Sequence, residues 1–415
     1  MVPVEKQMEV LCRGIVDLHV RAELEQRIAP GRPLKVKAGF DPTRPDLHLG
    51  HTVLMQKMRQ FQDFGHTVIF VVGDFTAMVG DPTGQNESRP RLTREAVMAA
   101  AATYQEQAFK VLDRDRTVVR YNSEWLDKLG AAGMIELGAK YTVARMLERD
   151  DFSKRFAEQK PIHVHEFLYP LLQAYDSVAL DCDIELGGTD QLFNLLVGRD
   201  LMPRYGLTPQ MVMTTPILEG TDARIVDGKV TGKKMSKSAD NYVGITEPPF
   251  EMLQKLMLVD DLVIWRYMDL LSARSNEEIA ALRADVAAGR SGIVAVKETF
   301  AVEVVTRFWS AKDAEEAVAR RHKVAKGGLP DAIEEVTLNA GERSGIRIAN
   351  AMKDAGLAPS TSKANELVRS GAVYIGEGAL PEEAMKDEKF ELARGKRFLI
   401  RVGSKNRQFR YITVQ

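Results

Sequence analysis

The stretch His66-Thr67-Val68-Ile69-Phe70-Val71-Val72-Gly73 constrains the fold of this chain more than any other. Its apolar run has no polar alternation, which predicts a strand covered on both faces, as inside a parallel sheet. A parallel neighbour requires a crossover, and the sequence supplies one. Leu34 to Phe40 reads as a strand. Gly50 to Asp63 reads as a helix, with Val53, Leu54, Met58 and Phe61 at helical spacing and Gly65 as its stop. A second helix is predicted over Thr93 to Leu112 and a further strand over Thr117 to Tyr121. Alternating strands and helices of this kind predict an open, Rossmann-type α/β sheet.

Pro248-Pro249 marks a change of character. Phe250 to Ser272, Asn276 to Ala288, Gly292 to Ser310 and Ala311 to Lys323 are helical in pattern, with no strands between them. The last part mixes short helices (Ile346 to Ala355, Ser362 to Ser370) with strands at Ala372 to Ile375 and Arg397 to Val402, a small α+β module. At 415 residues several domains are expected. The boundaries read as 1–247 for the α/β part with an insertion, 248–330 for an all-α domain, 331–345 for a linker and 346–415 for the module.

Charge is distributed unevenly. Residues 340–415 carry 14 Lys+Arg against 9 Asp+Glu, so the net −1 of the chain leaves the preceding part at −6. A basic tail on an acidic body points to a polyanionic partner. No apolar run approaches the ~18 residues that span a bilayer, so no membrane segment is expected. Cys12 and Cys182 alone make neither a disulfide framework nor a metal site. With no secretory signal evident at the N-terminus, the expectation is a cytoplasmic protein with reduced thiols.

Two motifs carry chemistry. In Gly39-Phe40-Asp41-Pro42-Thr43-Arg44-Pro45-Asp46-Leu47-His48-Leu49-Gly50-His51, a strand hands over to a helix. His48 and His51 share one side of the first helical turn, where free N–H groups and the helix dipole favour phosphate. Gly39 and Gly50 let a ligand approach the backbone. Nearly two hundred residues later, Lys233-Lys234-Met235-Ser236-Lys237-Ser238 follows a hairpin from Ala223 to Val230 that turns at Asp227-Gly228. Lys234 and Lys237 can neutralise charge growing on a pyrophosphate leaving group. Together the motifs describe a device for ATP. Between them, Tyr169, Gln173 and Asp176 stand at i, i+4 and i+7, one stripe of a helix.

Both motifs resemble those of class I aminoacyl-tRNA synthetases, and Tyr169-Pro170-Leu171-Leu172-Gln173-Ala174-Tyr175-Asp176 with Gly187-Gly188-Thr189-Asp190-Gln191 resembles the tyrosyl-tRNA synthetases in particular. The resemblance covers nearly the whole chain. It implies an activating enzyme (EC 6.1.1.1) that joins L-tyrosine to ATP as tyrosyl-adenylate and passes the tyrosyl group to tRNA(Tyr). His48, His51, Lys234 and Lys237 would be catalytic. Asp41, Thr43, Gly50, Gly188, Asp190, Gln191, Met235 and Ser236 would join them in binding ATP, which brings Mg2+ with it rather than to a dedicated protein metal site. Gly39, Asp81, Tyr169, Gln173, Asp176 and Gln191 would bind tyrosine, with Asp176 receiving the phenol. The tail resembles an S4-type RNA-binding module, with Lys363 and Arg369 as phosphate contacts and further charge on Arg401, Lys405, Arg407 and Arg410. The segment Ala144 to Phe152 resembles the subunit contact of a homodimer.

Two positions depart from the pattern. Lys37 stands where one branch of the family has a tyrosine that also touches the phenol, which leaves that second partner open. Gln85 replaces a common basic residue, which makes Arg89 the nearer phosphate candidate. The rival readings are a tryptophanyl-tRNA synthetase, against which Asp176 and the S4-like tail speak, and a non-catalytic synthetase-like RNA-binding protein, against which the intact histidines and lysines speak.

Overall fold

The computed structural model describes residues 2–42, 47–81, 93–325, 333–377, 384–403 and 408–415. The chain forms two compact units, Met1–Val318 and Ala319–Gln415.

The first unit is built on a six-stranded sheet. Its strands are β1 (Asp17–His19), β2 (Lys35–Phe40), β3 (Thr67–Val72), β4 (Thr117–Tyr121), β5 (Ile184–Gly188) and β6 (Met211–Thr215), in the order β1-β6-β5-β2-β3-β4. All neighbours are parallel except β1, which runs antiparallel on β6. The predicted central strand is β3, with Val68, Ile69, Phe70, Val71 and Val72 all buried. The sequence runs β2, β3, β4 to one side and then returns to β5 on the other side of β2. The carboxyl ends of β2 and β5 are therefore a topological switch point, where open α/β sheets bind ligands.

The pairing registers make this crevice explicit. β2 pairs with β3 as far as Phe40 on Val72, and β5 pairs with β6 as far as Gly188 on Thr215. Between β2 and β5 the ladder ends at Lys37 on Glu185. Beyond that rung the two central strands part.

The helix Leu49–Asp63 crosses from β2 to β3 and buries Val53, Met58 and Phe61 against the sheet core. The helix Val164–Leu180 leads into β5, and Asp181 closes it in a left-handed conformation (φ 46°). The hairpin β7 (Arg224–Val226) and β8 (Lys229–Thr231) turns at Asp227 and Gly228, with φ of 49° and 73°. Positive φ at both central residues is the turn that matches strand twist.

The helical part begins at Pro249, but the stretch expected as one helix from Phe250 to Ser272 is two, Pro249–Leu258 and Val263–Leu271. The Asp260 carboxylate accepts the Leu262 N–H at 2.9 Å, a local turn that competes with helix continuation. Helices Asn276–Ala287, Ile293–Phe308 and Ala311–Ala325 follow. One apolar cluster runs from the sheet through Val243 and Ile245 into Met252, Leu253 and Phe300. Residue 247 is thus a change of structural class within one continuous core.

In the second unit, β11 (Val373–Gly376), β13 (Arg397–Val402), β14 (Gln408–Val414) and β9 (Glu335–Leu338) form a sheet in that order. Helices Ile348–Asp354 and Thr361–Arg369 pack Ile348, Met352, Ala364 and Val368 into its core, and the small pair β10 (Gly345–Arg347) and β12 (Glu391–Ala393) lies beside it. The span 331–345, expected as linker, contains β9, which pairs in parallel with β14 from Glu335 on Tyr411 to Leu338 on Val414. Val336 and Leu338 pack on the core, which is why this segment is ordered as strand. Among the described residues no helix is long and apolar enough to cross a membrane.

Candidate active site

Two cavities open at the switch point. The first, about 490 Å3, is lined by Gly39, Asp81, Tyr169, Gln173, Asp176 and Gln191 among others; the second, about 540 Å3, by His48, Gly50, His51, Asp190, Lys234 and Lys237 among others. Asp41, Leu54 and Gly188 line both. Every residue singled out for tyrosine lies on the first cavity. Those singled out for ATP line the second, except Gln191, which lines the first, and Thr43, which is outside the described residues. Gln85, Arg89, Lys405 and Arg407 also lie outside them.

His48 caps the helix Leu49–Asp63. Its Nδ1 accepts the Gly50 N–H at 3.2 Å, and His51 Nδ1 accepts the His48 N–H at 3.2 Å. With both Nδ1 atoms used as acceptors, each neutral ring carries its proton on Nε2. Burial first, then each other's proximity and the cations Lys237 and Lys234, push His48 down to about 3. Burial and Lys234 push His51 down to about 4. Near neutrality the pair therefore offers two N–H donors rather than two cations. Gly50 keeps the approach open: a Cβ there would stand 3.0 Å from the His48 ring and 3.6 Å from Met235 Cβ.

The lysine loop is pinned between its lysines. Met235 is buried, and its N–H donates to Leu218 O at 2.9 Å; the Ser236 N–H donates to Asn241 Oδ1 at 2.9 Å. Lys234 is 63% exposed on its side chain, with Nζ 3.6 Å from Asp190. Lys237 lies over the Tyr242 ring at 5.7 Å. Anchored backbone with exposed charges suits a loop that tightens on a polyphosphate.

The first cavity is lined by Asp176, buried, whose Oδ1 accepts the Trp125 indole N–H at 2.8 Å and whose Oδ2 accepts from Asn122 at 3.4 Å. Burial raises it to about 7, against the opposing pull of Lys37, Trp125 and Asn122. At Asp41, which lines both cavities, the Tyr169 hydroxyl donates to Oδ2 at 2.8 Å and Thr76 to Oδ1 at 2.7 Å. Burial raises Asp41 to about 7 as well, partly offset by those two bonds. Gly73 permits this arrangement, because a Cβ there would lie 2.0 Å from Asp41 Oδ1. Gln191 Nε2 donates to Asp81 at 2.8 Å, and Asn194 donates to both Gln173 and Gln191 at 3.1 Å.

The structure adds residues that sequence reasoning missed: Thr76, Asn122, Trp125, Asn194 and Glu185. Asn122 and Trp125 follow the carboxyl end of β4, a place where α/β sheets concentrate functional groups, and that position was the available signal. Lys37 is fully buried and does not line the cavity; its Nζ is 3.0 Å from Glu185. In the second unit, the two expected phosphate contacts are exposed but paired: Lys363 with Glu366 at 2.6 Å and Arg369 with Glu388 at 3.2 Å. Arg401 stacks on Tyr374 at 3.5 Å.

The family model for class I tRNA synthetases (W and Y) matches residues 29–323. A tyrosine–tRNA ligase of Thiobacillus denitrificans is 51% identical over 411 residues, 99% of this chain and 100% of that one. One of Legionella pneumophila is 50% identical over 396 residues, 95% of each. Among solved structures, a truncated mitochondrial tyrosyl-tRNA synthetase of Aspergillus nidulans shares the fold with a TM-score of 0.64 at 22% identity, covering 78% of this chain and 94% of that one. The tyrosyl-tRNA synthetase of Archaeoglobus fulgidus complexed with L-tyrosine has a TM-score of 0.58 at 21% identity, covering 76% and 100%. The chain belongs to the class I tRNA synthetase family of the W and Y type, among its tyrosine–tRNA ligases.

Proposed function

We propose that the chain activates L-tyrosine with ATP and transfers it to the 3′ end of tRNA(Tyr). The observation that carries this reading is the pair of cavities with a shared wall, one lined by the buried Asp176 carboxylate and the other by N–H donors and lysines. The phenol of tyrosine donates to Asp176, and Asp81, Gln173 and Gln191 present acceptors to the α-ammonium. The substrate carboxylate then faces the shared wall at Asp41 and Gly188. An oxygen of that carboxylate attacks the α-phosphorus as the bond to the β,γ-pyrophosphate breaks. No enzymic nucleophile is needed; the protein orients and stabilises. His48 and His51 donate Nε2–H bonds to the phosphates, Lys234 and Lys237 take up the charge on the departing pyrophosphate, and Mg2+ arrives as part of the ATP complex. A ribose hydroxyl of the terminal tRNA nucleotide next attacks the mixed anhydride and releases AMP.

The second unit, through Lys363, Arg369, Arg401 and Arg410, supplies phosphate contacts to tRNA once the surface ion pairs exchange carboxylate for phosphate. Exposed apolar side chains gather along residues 135–164 (Ile135, Val143, Phe156 and Val164), the surface of a symmetric homodimer. The expected compartment is the cytoplasm. ATP–pyrophosphate exchange with tyrosine, tryptophan and phenylalanine, followed by charging of tRNA, tests the assignment. Exchange with tyrosine alone is expected; exchange with tryptophan, or none, overturns it.

A further inference from the structure

The last rung between β2 and β5 before the crevice opens is an ion pair, Lys37 with Glu185, whose side chains are each 1% exposed. Neither side chain lines the tyrosine cavity, and the chemistry above uses neither of them. A buried ion pair is weak as a stabiliser, since desolvation cancels most of the attraction. Its retention beneath a binding site calls for another reason.

Four donors converge on the Glu185 carboxylate. Lys37 Nζ and Gln173 Nε2 reach Oε1 at 3.0 and 3.2 Å; Ser177 Oγ reaches Oε2 at 3.1 Å, and Gln210 Nε2 also donates to Oε2. Gly198 leaves room for this cluster, because a Cβ there would lie 2.6 Å from Gln210 Nε2 and 3.2 Å from Glu185 Oε2. Gln173 is the one donor of the four that also lines the cavity. A carboxylate only accepts, so Glu185 fixes which end of the Gln173 amide it holds. The nitrogen is drawn back into the protein, and the oxygen is left to Asn194 Nδ2 and the cavity. At the other end of the row, Asp81 holds Gln191 by its nitrogen in the same way. Two carboxylates thus give both glutamines one polarity, oxygens toward Asn194. Lys37 neutralises Glu185 and lies 3.4 Å from the Gln173 backbone carbonyl, tying the helix to the rung.

We propose that the Lys37–Glu185 pair is a positioning element for substrate recognition: Glu185 orients the Gln173 amide so that its oxygen, not its nitrogen, meets the α-ammonium of the amino acid. This rests on the assignment of the first cavity to tyrosine. Without an acceptor at Glu185, the Gln173 amide is free to turn, and its donor nitrogen would face a cation.

The test compares full-length variants for L-tyrosine, tyramine and 4-ethylphenol, the last two differing only by the ammonium group and read as inhibitors of exchange. K37M/E185L removes the charges at similar volume and removes the acceptor; K37M/E185Q removes the charges and, because Gln210 Nε2, held as a donor by Leu195 O, claims the one amide oxygen, turns an NH2 group on Gln173. Losing one hydrogen bond to a cation is expected to weaken L-tyrosine and tyramine about tenfold in the leucine variant. Affinity for 4-ethylphenol stays within about twofold, and kcat at saturating tyrosine changes less than KM. The glutamine variant, which sets a donor against Gln173, weakens the two ammonium ligands at least as much. Equal weakening of tyramine and 4-ethylphenol, or a glutamine variant that binds tyramine as tightly as the wild type, overturns the proposal. If the leucine variant does not fold, E185D, which withdraws the carboxylate by one methylene while keeping a counter-charge for Lys37, gives the same comparison. A wild type that exchanges with another amino acid refutes the tyrosine assignment; the same variants, read against that amino acid and its analogue lacking the ammonium, still decide the role of the pair.

Discussion

Replacing Asp176 by asparagine (D176N) probes the origin of amino-acid selectivity, because the surrounding donors dictate how the new amide sits. The Trp125 indole only donates, and at 2.8 Å it claims whichever atom can accept. The oxygen of the introduced amide must therefore take the Oδ1 place, and its NH2 group takes the Oδ2 place, facing Asn122 Nδ2 and the ligand. A bound phenol then meets a donor where it had a charged acceptor. Tyrosine loses a charge-assisted hydrogen bond and buries an unpaired O–H, about 2–4 kcal/mol together, or roughly 30- to 1,000-fold in kcat/KM. Phenylalanine loses nothing and no longer strips a carboxylate of its solvent, so its kcat/KM holds or rises.

The assay is pyrophosphate exchange with each amino acid, reported as the tyrosine-to-phenylalanine ratio. A ratio within threefold of wild type would refute the reasoning. W125F in the D176N background is a second arm: freed from the indole, the amide can turn its oxygen to the ligand and part of the ratio returns. The pH dependence follows the same group. Asp176 is raised to about 7, so it is ionised above that pH and protonated below it. The wild-type ratio, in which Asp41 on the shared wall cancels, falls as pH drops through about 7. In D176N it is flat.

K234A and K237A each lower the tyrosine activation rate by about 100- to 1,000-fold while tyrosine affinity, from equilibrium titration, stays unchanged. The folded histidines are depressed to about 3 and 4, so their contribution to stability is present above the ordinary value of 6.5 and is lost progressively as pH falls from there to the two folded values. H48N/H51N, which keeps cap acceptors without the titration, should flatten the fall in unfolding free energy between pH 6.5 and 4.5, read by urea titration, by about 1–2 kcal/mol per pH unit. Phe156→Asp tests the proposed homodimer: with a charge on a side chain that is 65% exposed, the variant is expected to sediment as a monomer and the unsubstituted chain as a dimer.

The parts of this molecule legible in its sequence are those whose cause is local. Val68 to Val72 announce a doubly covered strand by composition alone, and Asp227-Gly228 announces its turn. His48 and His51 act within one helical turn of each other, and the lysine loop carries its chemistry in consecutive residues. What escaped depends on partners far along the chain. Glu335 to Leu338 is too short to read as a strand until β14, the C-terminal strand, supplies its neighbour. The helix break at Val259 to Leu262 is a local exception, where the Asp260 carboxylate accepts the Leu262 N–H two residues on.

The same division runs through the tyrosine cavity, and there it has a functional meaning. The stripe of Tyr169, Gln173 and Asp176 is readable because helical periodicity places it, but periodicity gives only the direction of a side chain. The hydrogen-bond partners of each group come from other segments of the chain: Trp125 and Asn122 for Asp176, Thr76 for Asp41, Glu185 for Gln173. Lys37 illustrates the point most directly. In sequence it is an ammonium where a phenol contact was expected, and it leaves a gap in the recognition of the substrate hydroxyl. In the fold it turns away from the cavity to the rung with Glu185, and the Trp125 and Asn122 donors hold Asp176 instead. In the proposal above, a charge that looked like a defect at one end of the amino acid bears on the orientation of the group assigned to the other end.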